Sequence, residues 1–192
     1  MAVWAVDGGM VSAAQARAAY YSSMGYTEGV IRGGDYRVTQ LPTPGAGVRI
    51  GPGSGALLNK YKGADGGGQT YETFEESAVD VVVPNPGATT ATRYIINAVH
   101  DPNYPGEQMP ADPLNHKYDD FEVVSTIPTT YPNIVLAKIV QPANSTAVTD
   151  AMITDMRKVA RPQTHTVDRA YGAISAGSPE NLVSESLYPH GQ

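Results

Sequence analysis

Cysteine is absent from the chain. That excludes a disulfide framework and thiolate chemistry, and it fits a protein made in the cytosol or one that ends in a particle. Phenylalanine is scarce at 2 residues, while tyrosine reaches 12. Positive charge is short as well: 13 Lys and Arg against 19 Asp and Glu leave a net charge of −6, scattered without a basic run. A nucleic-acid binder would need a basic patch, so that function class is set aside. No apolar run approaches the roughly 20 residues that a membrane span requires. The opening Met-Ala-Val-Trp-Ala-Val-Asp-Gly-Gly-Met carries no basic residue before its apolar stretch, so no secretory signal is expected and the chain reads as soluble.

What the chain has in quantity is turn formers, with Gly 20 and Pro 15. This composition describes many short strands rather than a helical bundle. The expected fold is mainly β: an antiparallel β-sandwich or barrel-like domain over 1–162, with a short helix near each end, followed by an extended C-terminal arm over 163–192. A chain of 192 residues is long enough to bury a core of that kind.

The stretch from Val79 to Tyr104 organises the rest. Val79-Asp-Val-Val-Val83 and Arg93-Tyr-Ile-Ile-Asn-Ala-Val99 flank an Asn-Pro-Gly-Ala-Thr-Thr bend, and together they read as a paired hairpin. In the second run Tyr94, Ile96 and Ala98 share one face, and Ile95, Asn97 and Val99 the other. That strand is therefore expected to be central and buried. Ile134-Val-Leu-Ala-Lys-Ile-Val140 is apolar at nearly every position, which predicts that it pairs beside 93–99.

Upstream, Ser12 with Gln15 forms a capping box for a helix over 12–24, and Gly25 stands where a left-handed terminal residue is wanted. Ala16, Tyr20 and Met24 recur at i, i+4 as a narrow apolar stripe facing either the sheet or a neighbouring subunit, with Arg17 beside it as a solvated or interface charge. Strands follow near 36–41 and 47–50, joined across Pro42-Thr-Pro-Gly45. Gly51-Pro-Gly-Ser-Gly55 reads as a bend rather than a phosphate loop, because no Gly-Lys-Ser/Thr closes it. Ala56-Leu-Leu58 resumes a strand, 62–68 reads as a flexible tip, and 71–74 is a further alternating strand. Between Asp101 and Asp120, prolines at 102, 105, 110 and 113 break all periodicity and predict a long surface excursion, of the kind that carries function or is held by a partner. Another strand is expected at 121–127. A second helix is expected from a Thr149 or Asp150 cap to about Lys158, with Met152, Ile153 and Met156 inward. The arm after Arg161 has few apolar side chains and is expected to gain order from other subunits or to be a disordered tail.

No catalytic constellation emerges. The four histidines, at 100, 116, 165 and 190, sit in loop or tail contexts, and no Gly-x-Ser-x-Gly elbow accompanies them. Glu75 and Glu76 are adjacent, so on a strand they face opposite sides. His100, Asp101, Asp112, His116, Asp119 and Asp120 could in principle converge on a metal, but neither the EF-hand nor the His-Glu-x-x-His spacing is present. The expectation is a non-enzyme without metal or cofactor, working through surfaces. A second reading is a cell-wall carbohydrate-binding module with Tyr104, Tyr118 and Tyr131 as stacking platforms. A third is a hydrolase acting on envelope polymer, for which no acid and base pair can be named.

The order of motifs supports a resemblance. A capped helix with Arg17 leads to Gly29-Val30 and Asp35-Tyr-Arg-Val38. Pro44-Gly-Ala-Gly-Val-Arg-Ile50 follows, then Ala91-Thr-Arg93 opening Tyr94 to Tyr104, then Ile134 to Ile139 and Met152-Ile-Thr-Asp-Met-Arg157. Over 2–162 this order resembles the N-terminal domain of minor tail proteins of long-tailed phages that infect actinobacteria, itself similar to upper baseplate adaptor domains of other such phages. The family's Arg-x-Asp at the start of the central strand is replaced here by Arg93-Tyr-Ile, with Asn97 the next polar residue. The resemblance implies a structural virion protein at the distal end of the tail, a homotrimer linking the tail to fibres or receptor-binding proteins. The helix 12–24, the loop 101–120 and the arm after Arg161 are expected to form the subunit and partner surfaces, with Arg17, Tyr20, Met24, Tyr104, Tyr118 and Tyr131 at the contacts.

Overall fold

The computed structural model describes residues 12–160; the expectations for 1–11 and for the 163–192 arm lie outside the described residues. The fold is mainly β and sandwich-like, with ten strands in three antiparallel sheets and one α-helix among the described residues. In chain order these are α1 (Ala13–Ser23), β1 (Gly29–Val30), β2 (Val38–Gln40), β3 (Gly47–Ile50), β4 (Gly53–Leu58), β5 (Thr70–Glu75), β6 (Val79–Val82), β7 (Ala91–Val99), β8 (Asp119–Val124), β9 (Asn133–Gln141) and β10 (Ile153–Asp155). The sheets run β1-β4-β5, β2-β3-β6 and β10-β9-β7-β8.

The expected capping box is present: the Gln15 amide donates to the Ser12 hydroxyl, and the Ser12 amide donates to Gln15 Oε1. Gly25, at φ 61°, ends the helix in the left-handed region. β7 is the central strand, between β8 and β9, with Ile95, Ile96, Asn97 and Ala98 fully buried. β9 pairs with it antiparallel, as its apolar run predicts, with a register shift between Ile95 and Ile96. The main core joins all three sheets through Val30, Val48, Ile50, Leu57, Ile95 and Leu136, together with Tyr36, whose ring meets Phe121 edge-on at 5.2 Å.

A chain of buried polar groups crosses this core. Tyr36 donates to Thr73 Oγ1 at 3.1 Å, Thr73 donates to Asn97 Oδ1 at 2.7 Å, and the Asn97 amide donates to the Asp120 carbonyl at 3.3 Å. These bonds tie the loop before β2 to β5, and β5 to β7 and β8, so they fix the facing of two sheets as well as satisfying their own atoms. Burial, partly offset by the Thr73 bond, pushes the Tyr36 phenol up to about 12. Arg93 Nε, where the resemblance places Arg-x-Asp, is buried without a hydrogen-bond partner.

Three expectations are corrected. The 79–83 and 93–99 runs are not a hairpin: β6 pairs with β3, and the Val83 amide continues that ladder by donating to the Ala46 carbonyl. The connector opens with Pro84 and Pro86, which lack the donors and the turn geometry of a tight hairpin, so the chain crosses to another sheet before β7 begins. The second helix is also absent. Residues Asp150–Met152 form one 3-10 turn, after which β10 pairs with the edge of β9. Thr149 makes no side-chain cap, the Asp150 carboxylate instead accepts from the Gln40 amide at 2.7 Å, and β-branched Ile153 and Thr154 suit the open edge better than a helix. Of the residues expected inward, Met152 and Ile153 pack against the core while Met156 is exposed. The 62–68 tip is built of two 3-10 turns with Gly66 buried, where a Cβ would come within 3.0 Å of the Asn59 amide nitrogen.

Candidate functional site

The 101–118 excursion begins where β7 ends. Its first residue, Asp101, is buried and takes hydrogen bonds from the Tyr71 hydroxyl at 2.7 Å and from the Asn103 backbone and side-chain amides at 3.0 and 2.6 Å. The Arg17 guanidinium lies 3.6 Å away, donates to Gln69 Oε1 at 3.0 Å and sits 4.9 Å above the Tyr71 ring. Burial raises the Asp101 carboxyl, but the Asn103 and Tyr71 donors and Arg17 outweigh it and hold the group below the usual carboxylate range. Arg17 is therefore not a solvated charge: its side chain is 19% exposed, and it anchors the root of the excursion to α1 and β5.

A second anchor follows at Tyr104, whose ring stacks on Tyr61 at 4.4 Å and 5° while its hydroxyl accepts from the Asn59 amide at 2.9 Å. The third is Glu107, which accepts from the Tyr61 hydroxyl at 2.5 Å and lies 3.0 Å from His100 Nδ1. On its other side His100 Nε2 lies 2.6 Å from Glu122 of β8, and Glu122 also accepts from Tyr131 at 2.8 Å. Burial lowers the His100 pKa, but the hydrogen bonds to Glu122 and Glu107 outweigh that and leave it raised. The last anchor closes the excursion: the His100 amide donates to the Tyr118 carbonyl at 2.8 Å, and Lys117 pairs with Glu75 of β5.

Between α1, β5 and the excursion lies a cleft of about 420 Å³, lined by Arg17, Tyr71, Met109, Pro113, Tyr118 and Asp119 among others. Asp119 is largely desolvated there, which raises its carboxyl. Outside, the excursion presents Met109 at 61% and Leu114 at 95% exposure.

The residues expected at contacts separate into two sets. Arg17, Tyr20 and Met24 face inward from α1: Met24 is buried with Ala56 and Ala160, Tyr20 packs beside them, and burial together with Glu72 pushes the Tyr20 phenol up to about 12. Tyr104, Tyr118 and Tyr131 all belong to the excursion network. Tyr104 is stacked on Tyr61, Tyr131 is tilted on His100 at 4.8 Å, and Tyr118 lines the cleft while donating to the Pro113 carbonyl. Among the described residues no cluster of three or more metal-type ligands occurs. Tyr61, Tyr71, Glu107 and Glu122 escape sequence reasoning. The available signal is the bias of tyrosine over phenylalanine, since a phenol in a half-buried position finds a hydrogen-bond partner that a phenyl ring cannot use.

No helix among the described residues is long and apolar enough to cross a membrane. Compared with protein families, curated proteins and solved structures, the chain matches none.

Proposed function

We propose that this chain is a structural component of the distal tail of a long-tailed phage, a homotrimeric adaptor that joins the tail tip to fibres or receptor-binding proteins and works through protein contacts rather than catalysis. The observation that carries the reading is the excursion, pinned at its root, at Tyr104, at Glu107 and at Lys117, yet turning Met109 and Leu114 to solvent. An irregular segment held this firmly with apolar side chains outward has the form of a preorganised contact surface, because the cost of ordering it is met before a partner arrives. The order of motifs along 2–162 supports the location in the tail, and threefold symmetry follows from that resemblance.

Light scattering on the purified chain, with labelled-antibody micrographs of virions, tests this directly. A trimer found at the distal tail is the expected result. A stable monomer absent from particles overturns the reading. A second reading, carbohydrate binding for host attachment, draws on the cleft, where Tyr71 and Tyr118 stand beside Asp101, Asn103 and Asp119. Retention of the pure chain on cell-wall glycan, lost in Tyr118→Ala, would favour it.

A further inference from the structure

We propose that His100 operates a pH-dependent clasp: its imidazolium bridges Glu107 of the excursion and Glu122 of β8, and loss of one ring proton breaks that bridge and loosens the segment between Glu107 and Lys117, including the outer wall of the cleft. The inference is independent of any assembly role.

Both ring nitrogens face carboxylate oxygens, Nδ1 at 3.0 Å and Nε2 at 2.6 Å. A neutral imidazole has one N–H, so it can donate to only one of these partners and turns a lone pair toward the other. The groups around His100 sharpen the conflict. From the 3-10 turn at 60–62, Tyr61 donates to Glu107; from the loop before β9, Tyr131 donates to Glu122 and lays its ring on the imidazole. Tyr118, across the backbone, contributes a carbonyl already occupied by the His100 amide. Both carboxylates are thus held as acceptors, and among the described residues neither pairs with a lysine or arginine. The imidazolium is the cation that reconciles them.

The remaining anchors do not titrate with it. Asp101 is held below the usual carboxylate range, the Tyr61 and Tyr71 phenols are raised by burial and their acidic partners, and Lys117 is raised by Glu75 against its own burial. Both ends of the excursion therefore stay fixed as pH rises. The part that is loosened carries Met109 and Pro113, which line the cleft, and it retains the Tyr61 bond to Glu107 and the Tyr118 bond to the Pro113 carbonyl. The sign follows from the raised histidine: the clasp is complete below the ordinary histidine pKa and is lost as pH rises through the elevated one.

The test is hydrogen exchange of the 105–116 amides on the full chain from about pH 6 to about pH 9, corrected for intrinsic rate, beside long-range proton–nitrogen NMR of the histidine rings. The expected result is a doubly protonated His100 at the acid end. Protection of 105–116 should fall by about tenfold for each unit by which its pKa exceeds the ordinary value. Glu107→Gln supplies an amide that can donate to a neutral ring nitrogen, so the His100 pKa should fall and the pH dependence of protection should vanish with the fold intact. Glu122→Gln provides the same test from the opposite side should the first variant not fold. His116→Gln, a change at an exposed histidine, should leave the profile unaltered. A His100 that titrates at or below the ordinary value overturns the proposal, as does protection independent of pH or an unchanged pH profile in the glutamine variants.

Discussion

Thr73→Val should be among the most damaging near-isosteric changes in the described fold, although it alters the shape of the core very little. Its hydroxyl accepts from Tyr36 and donates to Asn97, whose residues are both fully buried. Valine removes both roles at once, leaving the Tyr36 phenol without an acceptor and Asn97 Oδ1 without its donor. Each orphaned buried group costs about 1–3 kcal/mol, so the loss should total about 2–6 kcal/mol. Against a domain stability of about 5–15 kcal/mol that is a large fraction. Tyr36→Phe is the matched control: it removes the first donor, leaves the Thr73 to Asn97 bond in place, and should cost about 1 kcal/mol. The double variant should lose less than the sum of the two, since the orphaned phenol is gone. Urea denaturation followed by far-UV circular dichroism measures all three, and Thr73→Val should lower the midpoint on the order of 1–3 M. If Thr73→Val were no more costly than Tyr36→Phe, the polar chain would not be holding the sheets together, and the reasoning would fail.

Gly29→Ala should destabilise by more than about 2 kcal/mol, because φ is +144° and the new Cβ would lie 2.1 Å from the Lys158 carbonyl oxygen. Gly33→Ala, with open space around it, should stay within about 0.5 kcal/mol, both read by the same urea denaturation. Ile96→Asp puts an unpaired charge at a fully buried position of β7 and should cost several kcal/mol, about the whole margin of a small domain; a variant that melts like the parent would refute the central placement of that strand. Asp101 stabilises the fold through its depressed pKa, so its contribution is present above the unfolded carboxyl pKa of about 3.9 and is lost as pH falls through the lower folded value. Asp101→Asn should flatten the acid limb of a stability–pH curve, and an unchanged limb would count against the anchor. On the proposed tail role, deleting 163–192 should leave the β domain folded by circular dichroism while abolishing entry into particles; global unfolding would contradict the expectation that 163–192 is an arm separate from the domain.

Periodicity made visible what depends on local pattern. The capping box at Ser12 and Gln15 and the two-sided apolar runs of β7 and β9 carry their own signals, and the structure realises each. Partner choice between strands does not have that property. The valines of β6 and the apolar residues of β7 look like two arms of one hairpin, and nothing in either run says that β6 continues the ladder of β3. The informative residues were Pro84 and Pro86 between them. The missing second helix has a similar cause: Met152, Ile153 and Met156 fit a helical period, but the vacant edge of β9, a feature of the tertiary fold, competes for the same backbone. The anchors of the excursion were legible only as composition. Asp101 reaches β5, Tyr104 and Glu107 reach the turn at 60–62, and His100 reaches β8, partners that lie 22 to 46 residues away in sequence, so no spacing rule connects them.

That separation explains how an irregular segment rich in proline can present one surface. Loop closure over such a length is entropically unfavourable, and proline limits the backbone without supplying bonds to offset the cost. The offset comes from tethers at intervals along the segment, reaching α1, β5, the 59–62 turn and the end of β7: Arg17 and Tyr71 at the root, Tyr61 and Asn59 at Tyr104, His100 at Glu107, and Glu75 at Lys117. Of these the His100 tether joins the excursion to the four-stranded sheet through an imidazole whose pKa its two carboxylate partners raise above the ordinary histidine value. Losing it leaves the two ends in place, with Tyr61 still on Glu107 and Tyr118 on the Pro113 carbonyl, and loosens the apolar residues between them. A partner that grips Met109 and Leu114 should therefore bind more tightly as pH falls through the His100 transition, and Glu107→Gln should remove that dependence without removing the surface. Binding to an isolated tail-tip fraction, measured across that transition for the parent and the variant, decides the matter: equal pH dependence in both would separate the contact surface from the clasp.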